Sequence, residues 1–216
     1  MNTAQIGTLL WQKQSKCNAE FFALTYGALV AELLRDIEDP IAITNELDRM
    51  GHSIGVRCIE EVLAKVSSVS QQQSSAISLY KTFPDTSDLI QTAFRMFMGV
   101  STETKAMSDT SYMISFTDNP LSIFVELPSS LNATMTTATP TDTTSITATT
   151  RPALEYSQLL VGMIRGMLEM LQYDVSCRFM NTTMSSNGGG KNEANEILVE
   201  LKQILQDGAG DDYHDE

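Results

Sequence analysis

The chain has 216 residues, 42% of them apolar, and carries a formal net charge of −13 with a pI near 4.5. That length and apolar content suit one domain with a single buried core. The acidic balance argues against nonspecific nucleic-acid binding, which displaces counterions with positive charge, and against a polybasic membrane anchor.

Along the chain, residues 1–16 hold Ile6, Leu9, Leu10 and Trp11 but no continuous apolar run, so they read as an N-terminal extension and not a signal peptide. From Phe21 to Lys65 the pattern is helical almost without slack. Phe22, Tyr26, Leu29 and Leu33 recur at helical spacing, and Phe21, Leu24 and Ala28 widen that apolar face. Asp39 can cap the next helix, and Pro40 fits its first position. Ile43, Leu47 and Met50 follow. Gly51 is expected to end this second helix and Ser53 to cap a third, with Ile54, Cys58, Ile59, Val62 and Val66 as its stripe. Each large apolar side chain fully buried contributes roughly 1.5–3 kcal/mol, so three such stripes make a core.

Ser67 to Ser75 is polar and aperiodic and reads as a mobile loop. Asp85 to Gly99 is helical again, with Leu89, Ile90, Ala93, Phe94, Met96 and Phe97 on the apolar side. Tyr112, Ile114 and Phe116 then alternate with Met113, Ser115 and Thr117 on the opposite face. After Asp118-Asn119-Pro120, Ile123, Val125 and Leu127 alternate as well, which predicts a two-stranded hairpin. The segment 129–152 is dominated by Ser and Thr and is expected to be a disordered insertion, although threonine's strand propensity pulls the other way. Pro152 to Tyr173 predicts a long helix in which Gly162 and Gly166, one turn apart, let another backbone come close. Tyr173, Val175, Cys177 and Phe179 alternate as a strand. Residues 196–205 fit either period; the Asn187-Gly-Gly-Gly turn arbitrates for a second hairpin. Residues 208–216 form an acidic tail. The fold class is therefore α+β: a helix-rich domain over 17–207, with its helices packed against a small antiparallel sheet.

Cys17, Cys58 and Cys177 are odd in number and far apart, which suits a reducing cytosol better than a disulfide framework. With only His52 and His214 besides, no metal site is expected. No nucleophile elbow, paired His-carboxylate motif or cofactor fingerprint is present, and Asn187–Gly190 lacks phosphate-loop spacing, so the chain reads as non-enzymatic. The acidic residues Asp36, Glu38, Asp39, Glu46 and Asp48 read as a solvated face. Methionines at 96, 98, 163, 167 and 170 could line an adaptable pocket, which keeps a small-molecule or lipid-binding sensor domain as the alternative function.

The phrases TYGALV (25–30), LDRMG (47–51), IGVR (54–57), AFRMFMGV (93–100), NPLSIFVELP (119–128) and GMIRGMLEM (162–170) carry a family resemblance. In that order the sequence resembles the small core subunits of the transport protein particle (TRAPP) tethering complex, above all their subunit-3 branch. The resemblance runs from about Cys17 to Leu205, interrupted at 67–83 and 129–152. It implies a non-enzymatic α+β scaffold subunit in ER-to-Golgi transport, cytoplasmic and peripheral at cis-Golgi and endoplasmic reticulum membranes. The implied partners are sister subunits in a heterodimer, or a second copy when the chain is alone. A Rab-type GTPase is the implied partner of the assembled complex, which promotes its nucleotide exchange and makes the membrane contact. Phe21, Tyr26, Leu33 and Leu47 are the expected partner-facing residues.

The branch also implies a fatty acyl chain in an apolar tunnel, held as a thioester on a cysteine in the loop after the third helix. Here that loop reads KVSSVSQQQSSAIS and has no cysteine. Cys58 lies earlier, within a helix, and is only a weak candidate for acylation; a thiol there is first a small buried hydrophobe. The expected tunnel lining is Phe94, Met98, Met163 and Met167, and the expected occupant, if there is one, is a noncovalent fatty acid.

Overall fold

The computed structural model describes residues 3–70, 82–125, 135–137, 149–151, 154–183 and 193–205. Five helices lie among them: α1 (Thr3–Lys13), α2 (Ala19–Asp36), α3 (Pro40–Ser70), α4 (Thr86–Met98) and α5 (Gln158–Met170). They pack on a four-stranded antiparallel sheet of order β1-β2-β6-β5, built from β1 (Glu103–Ser108), β2 (Ser111–Phe116), β5 (Tyr173–Thr183) and β6 (Glu193–Ile204). β3 (Met135–Thr137) and β4 (Thr149–Arg151) pair with each other; the rest of 129–152, read above as disordered, lies outside the described residues, apart from the short ends named. The α+β expectation holds.

Local chemistry accounts for three of the helix ends. The Asn18 side chain accepts from the Phe21 amide at 2.9 Å and caps α2. The Asp39 carboxylate accepts from the Ile41 and Ala42 amides at 3.2 and 3.3 Å and caps α3, as its place before Pro40 predicts. Gly99 closes α4 with φ at 71°, and its bare Cα seats the Trp11 ring. α1 thus sits against α4, and its Ile6 and Leu10 are part of the core.

The third helix corrects the sequence reading. Gly51 does not end a helix and Ser53 does not cap one: α3 is continuous from Pro40 to Ser70, taking in the start of the expected loop, while 71–81 lie outside the described residues. Leu47, Gly51, Gly55 and Ile59 follow one another at steps of four on a single buried stripe. The glycines are where α5 crosses. A Cβ on Gly51 would fall onto the Leu159 carbonyl, one on Gly55 onto that of Met163, one on Gly162 onto that of Asp48, and one on Gly166 onto that of His52. Interior glycine costs a helix about 1 kcal/mol relative to alanine, and this backbone-to-backbone packing offsets it. Polar pairs flank the crossing: Asp48 takes Arg165 and the Gln158 amide (3.0 Å), and His52 meets Glu169 at 2.6 Å.

The sheet supplies the other wall of the core. Tyr112 faces Val199, and Val199 faces Cys177; Ile114 faces Ile197, and Ile197 faces Phe179. Two rows of apolar side chains therefore cross the sheet, and the β5–β6 hairpin stands as expected. The expected partner for β2 does not. It pairs with β1, not with 123–127. Glu103–Ser108 (ETKAMS) is an almost fully exposed edge with no apolar alternation to announce it. Leu121 to Val125 is a tight turn instead, held by Leu121 and Ile123 amides that donate to the Asn119 side chain and carbonyl at 3.1 Å each. Residues 126–130 lie outside the described ones.

Candidate functional site

A cavity of about 1090 Å³ opens between α2, α3 and the turn at 117–124. Phe22, Tyr26 and Leu29 come from α2, at the spacing that keeps one face of a helix together. Met50, Ile54, Arg57 and Cys58 come from α3. Phe97 and Met98 end α4, Leu159, Leu160 and Met163 begin α5, and Leu121, Ile123 and Phe124 form the turn. Trp11 and Cys17 also line the cavity. The walls are mostly hydrocarbon and sulfur. Ligand pockets commonly span roughly 300–1,000 Å³, so this one has room for a long apolar chain.

Tyr26 ties the site together. Its hydroxyl donates to the Tyr156 carbonyl at 2.6 Å, and the two rings meet edge to face at 4.9 Å. The Tyr156 hydroxyl in turn donates to the Leu121 carbonyl at 3.5 Å. Burial, and then the neighbouring Tyr156, hold the Tyr26 phenol well above its ordinary pKa, so it stays a donor.

The residues expected to line a tunnel divide. Met98 and Met163 do line the cavity. Phe94 and Met167 do not: both are fully buried in the core, and Phe94 packs on Phe116 with ring centroids 6.0 Å apart. The reason is position along the helix: Phe94 packs against the sheet, while Phe97 and Met98, about one turn further along α4, reach the cavity. Of the expected partner-facing residues, Phe21 is 71% exposed, Leu33 is half-buried, and Tyr26 and Leu47 belong to the core. Trp11 and the Leu121–Phe124 turn escaped the sequence reading as parts of the site, the first because it lies in a short isolated apolar patch and the second because its alternation imitates a strand.

No described cysteine is set up as a nucleophile. Cys58 lines the cavity, but burial and then the nearby Glu61 raise its thiol pKa. Cys177 is pushed up to about 12 by burial. Cys17 is exposed. Iodoacetamide at neutral pH should therefore modify Cys17 first, with Cys58 slower by at least about tenfold and Cys177 unreacted until unfolding, since the thiolate is the reacting species. Peptide mapping over time checks this, and equal rates at Cys17 and Cys58 would contradict it. The described residues contain no cluster of three metal-ligating side chains, and none of their helices is long and apolar enough to cross a membrane.

Comparison with known proteins places this arrangement. Residues 22–200 match the family model described as "Transport protein particle (TRAPP) component". The chain is 34% identical to "Trafficking protein particle complex subunit 3" of Dictyostelium discoideum, covering 94% of this chain and 93% of that one. It is 35% identical to "Transport protein particle subunit bet3" of Schizosaccharomyces pombe, covering 96% of each. Among solved structures it is similar to a trafficking protein particle complex subunit 3 from Naegleria fowleri covalently bound to palmitic acid, with a TM-score of 0.66 and 34% identity over 88% of this chain and 98% of that one. The matched residues take in nearly all of α2 to α5, most of the four-stranded sheet and most of the cavity wall, and on that match the chain belongs to the TRAPP component family.

Proposed function

We propose that this chain is a small scaffold subunit of a TRAPP-type vesicle-tethering complex, without catalytic chemistry of its own. The observation that carries the reading is the family match over 22–200, with relatives aligned over nearly their whole length. The surface of α2 supports it. Inward, Ala23, Tyr26 and Val30 are buried; outward, Phe21 and Leu24 (51% exposed) face solvent, with Ile41 of α3 also exposed. A helix apolar nearly all round needs cover on both sides. A sister subunit is the occupant proposed for the outer side. In the assembled complex the chain would support nucleotide exchange on a Rab-type GTPase, at early Golgi and endoplasmic reticulum membranes reached through its partners. The test is reconstitution of exchange with and without this chain. Exchange that depends on its presence is expected; the same rate in its absence would count against the role.

The cavity gives the reading its second part: it holds a fatty acyl chain noncovalently. The neighbour bound to palmitic acid supports the ligand class. The missing loop cysteine and the raised thiol of Cys58 argue against a thioester here. Intact mass before and after hydroxylamine is expected to be the same. A fatty-acyl mass lost on treatment would contradict the noncovalent form and make Cys58 the first residue to map. The alternative of a free-standing lipid sensor is favoured only by the cavity, and it would show as a stable chain that copurifies with lipid and no sister subunit.

A further inference from the structure

The charge around the cavity runs against the charge of the chain. The protein has 27 acidic and 14 basic residues. The cavity wall has four cations, Lys16, Arg49, Arg57 and Arg95, and one carboxylate, Asp118. Three of those cations are already engaged. Arg49 donates to both Glu46 oxygens, at 2.9 and 2.5 Å. Arg95 donates to the Gly99 carbonyl at 2.6 Å and to the Ser101 hydroxyl at 3.2 Å. Lys16 lies 4.8 Å over the Trp11 ring. Arg57 is exposed and has no acceptor among the described residues.

We infer that the cavity selects an anionic amphiphile, a free long-chain carboxylate, and that Arg57 is its head-group anchor. This rests on the proposal above that the cavity holds an acyl chain, and it names the form of that chain. An acyl thioester carries no charge at its carbonyl and needs no cation. A free acid does, because its carboxylate cannot follow the hydrocarbon into the apolar wall without a large desolvation cost. The head group must stay at the mouth. A guanidinium there offers two parallel N–H donors that match a carboxylate, which an ammonium does not. Arg57 and Cys58 are adjacent on α3 and both reach the cavity. The position beside the thiol thus holds an anion receptor where covalent attachment is disfavoured. Asp118 is the one carboxylate on the cavity wall that opposes the anion, and Glu61, near Cys58, adds to it from outside the wall.

The test titrates the delipidated full-length chain with palmitate and with hexadecanol, which share a chain length and differ in charge. The wild type is expected to bind palmitate at least tenfold more tightly than hexadecanol. Arg57→Gln should weaken palmitate tenfold or more and leave hexadecanol within twofold; Asp118→Asn should tighten palmitate alone. Arg57 is exposed, so the melting temperature of Arg57→Gln should match the wild type. If both ligands bind the wild type equally and Arg57→Gln changes neither, the anchor is overturned while the acyl-binding cavity stands. If the wild type binds neither ligand, the acyl-binding reading falls as well.

Discussion

Gly162→Ala is expected to lose at least about 3 kcal/mol of stability, at the upper end of what overpacking costs. The added methyl group would overlap the carbonyl of Asp48 and press on its Cα. Both obstacles are backbone, so no side chain can rotate out of the way. Relief would require α3 and α5 to separate, which exposes the buried surface of Leu47, Ile59 and Leu160. Gly55→Ala, which meets the Met163 carbonyl, should behave alike. Gly27→Ala is the internal contrast. Its new Cβ would stand 3.6 Å from both the Tyr156 hydroxyl and the Val125 side chain, an ordinary contact in the middle of α2. It should gain about 0.5–1 kcal/mol from helix propensity. Urea unfolding of the three variants checks the set. A wild-type midpoint for Gly162→Ala would show that the helices do not cross at backbone contact.

The second large effect falls on binding and not on folding. Phe21→Glu should change the melting temperature little, because the side chain is exposed and lies in the first turn of α2, where an acidic residue is favoured. It should weaken association with a sister subunit by at least about 30-fold, as loss of a buried aromatic anchor costs about 2 kcal/mol or more. Leu24→Ala should act in the same direction and less. Tyr26→Phe is different. It removes the buried hydroxyl bond to Tyr156 and should cost about 1 kcal/mol of folding, with only an indirect effect on the partner. Melting curves paired with binding titrations separate the two classes. Wild-type affinity in Phe21→Glu would move the interface away from α2.

The sequence was most legible where side-chain period and element coincide. α2, α4 and α5 announce themselves by apolar recurrence, and β5 and β6 by alternation plus the glycine turn between them. It was least legible where one residue type serves two purposes. Gly51 can end a helix or admit a neighbouring helix, and only the partner surface of α5 decides. The continuous stripe of Leu47, Gly51, Gly55 and Ile59 was a usable signal for one long helix. β1 was invisible because an exposed edge strand buries nothing that could impose alternation. Ile123 and Val125 alternate without forming a strand, because their amides donate to the Asn119 and Ser122 carbonyls within the turn and not to a partner strand.

The candidate site was half legible for a related reason. Apolar stripes say that a residue is inside, not whether it meets a neighbour or a void. Phe94, Met98, Met163 and Met167 all read alike, and two of them line the cavity while two fill the core. The difference between them is about one helical turn on α4 and α5, set by packing of the whole fold. The charge on the cavity wall was beyond reach from sequence, since Lys16, Arg57, Arg95 and Asp118 come together only in three dimensions.

The chain is proposed to work as one subunit of a larger tethering assembly. The most direct measurement is affinity capture of the tagged full-length chain from its own cells, followed by mass spectrometry with quantified stoichiometry. Other TRAPP components should be recovered with it in near-equal amount, and capture of the Phe21→Glu variant should deplete the sister subunit that docks on α2. Recovery of the wild-type chain alone, or with lipid and no TRAPP component, would contradict the subunit role.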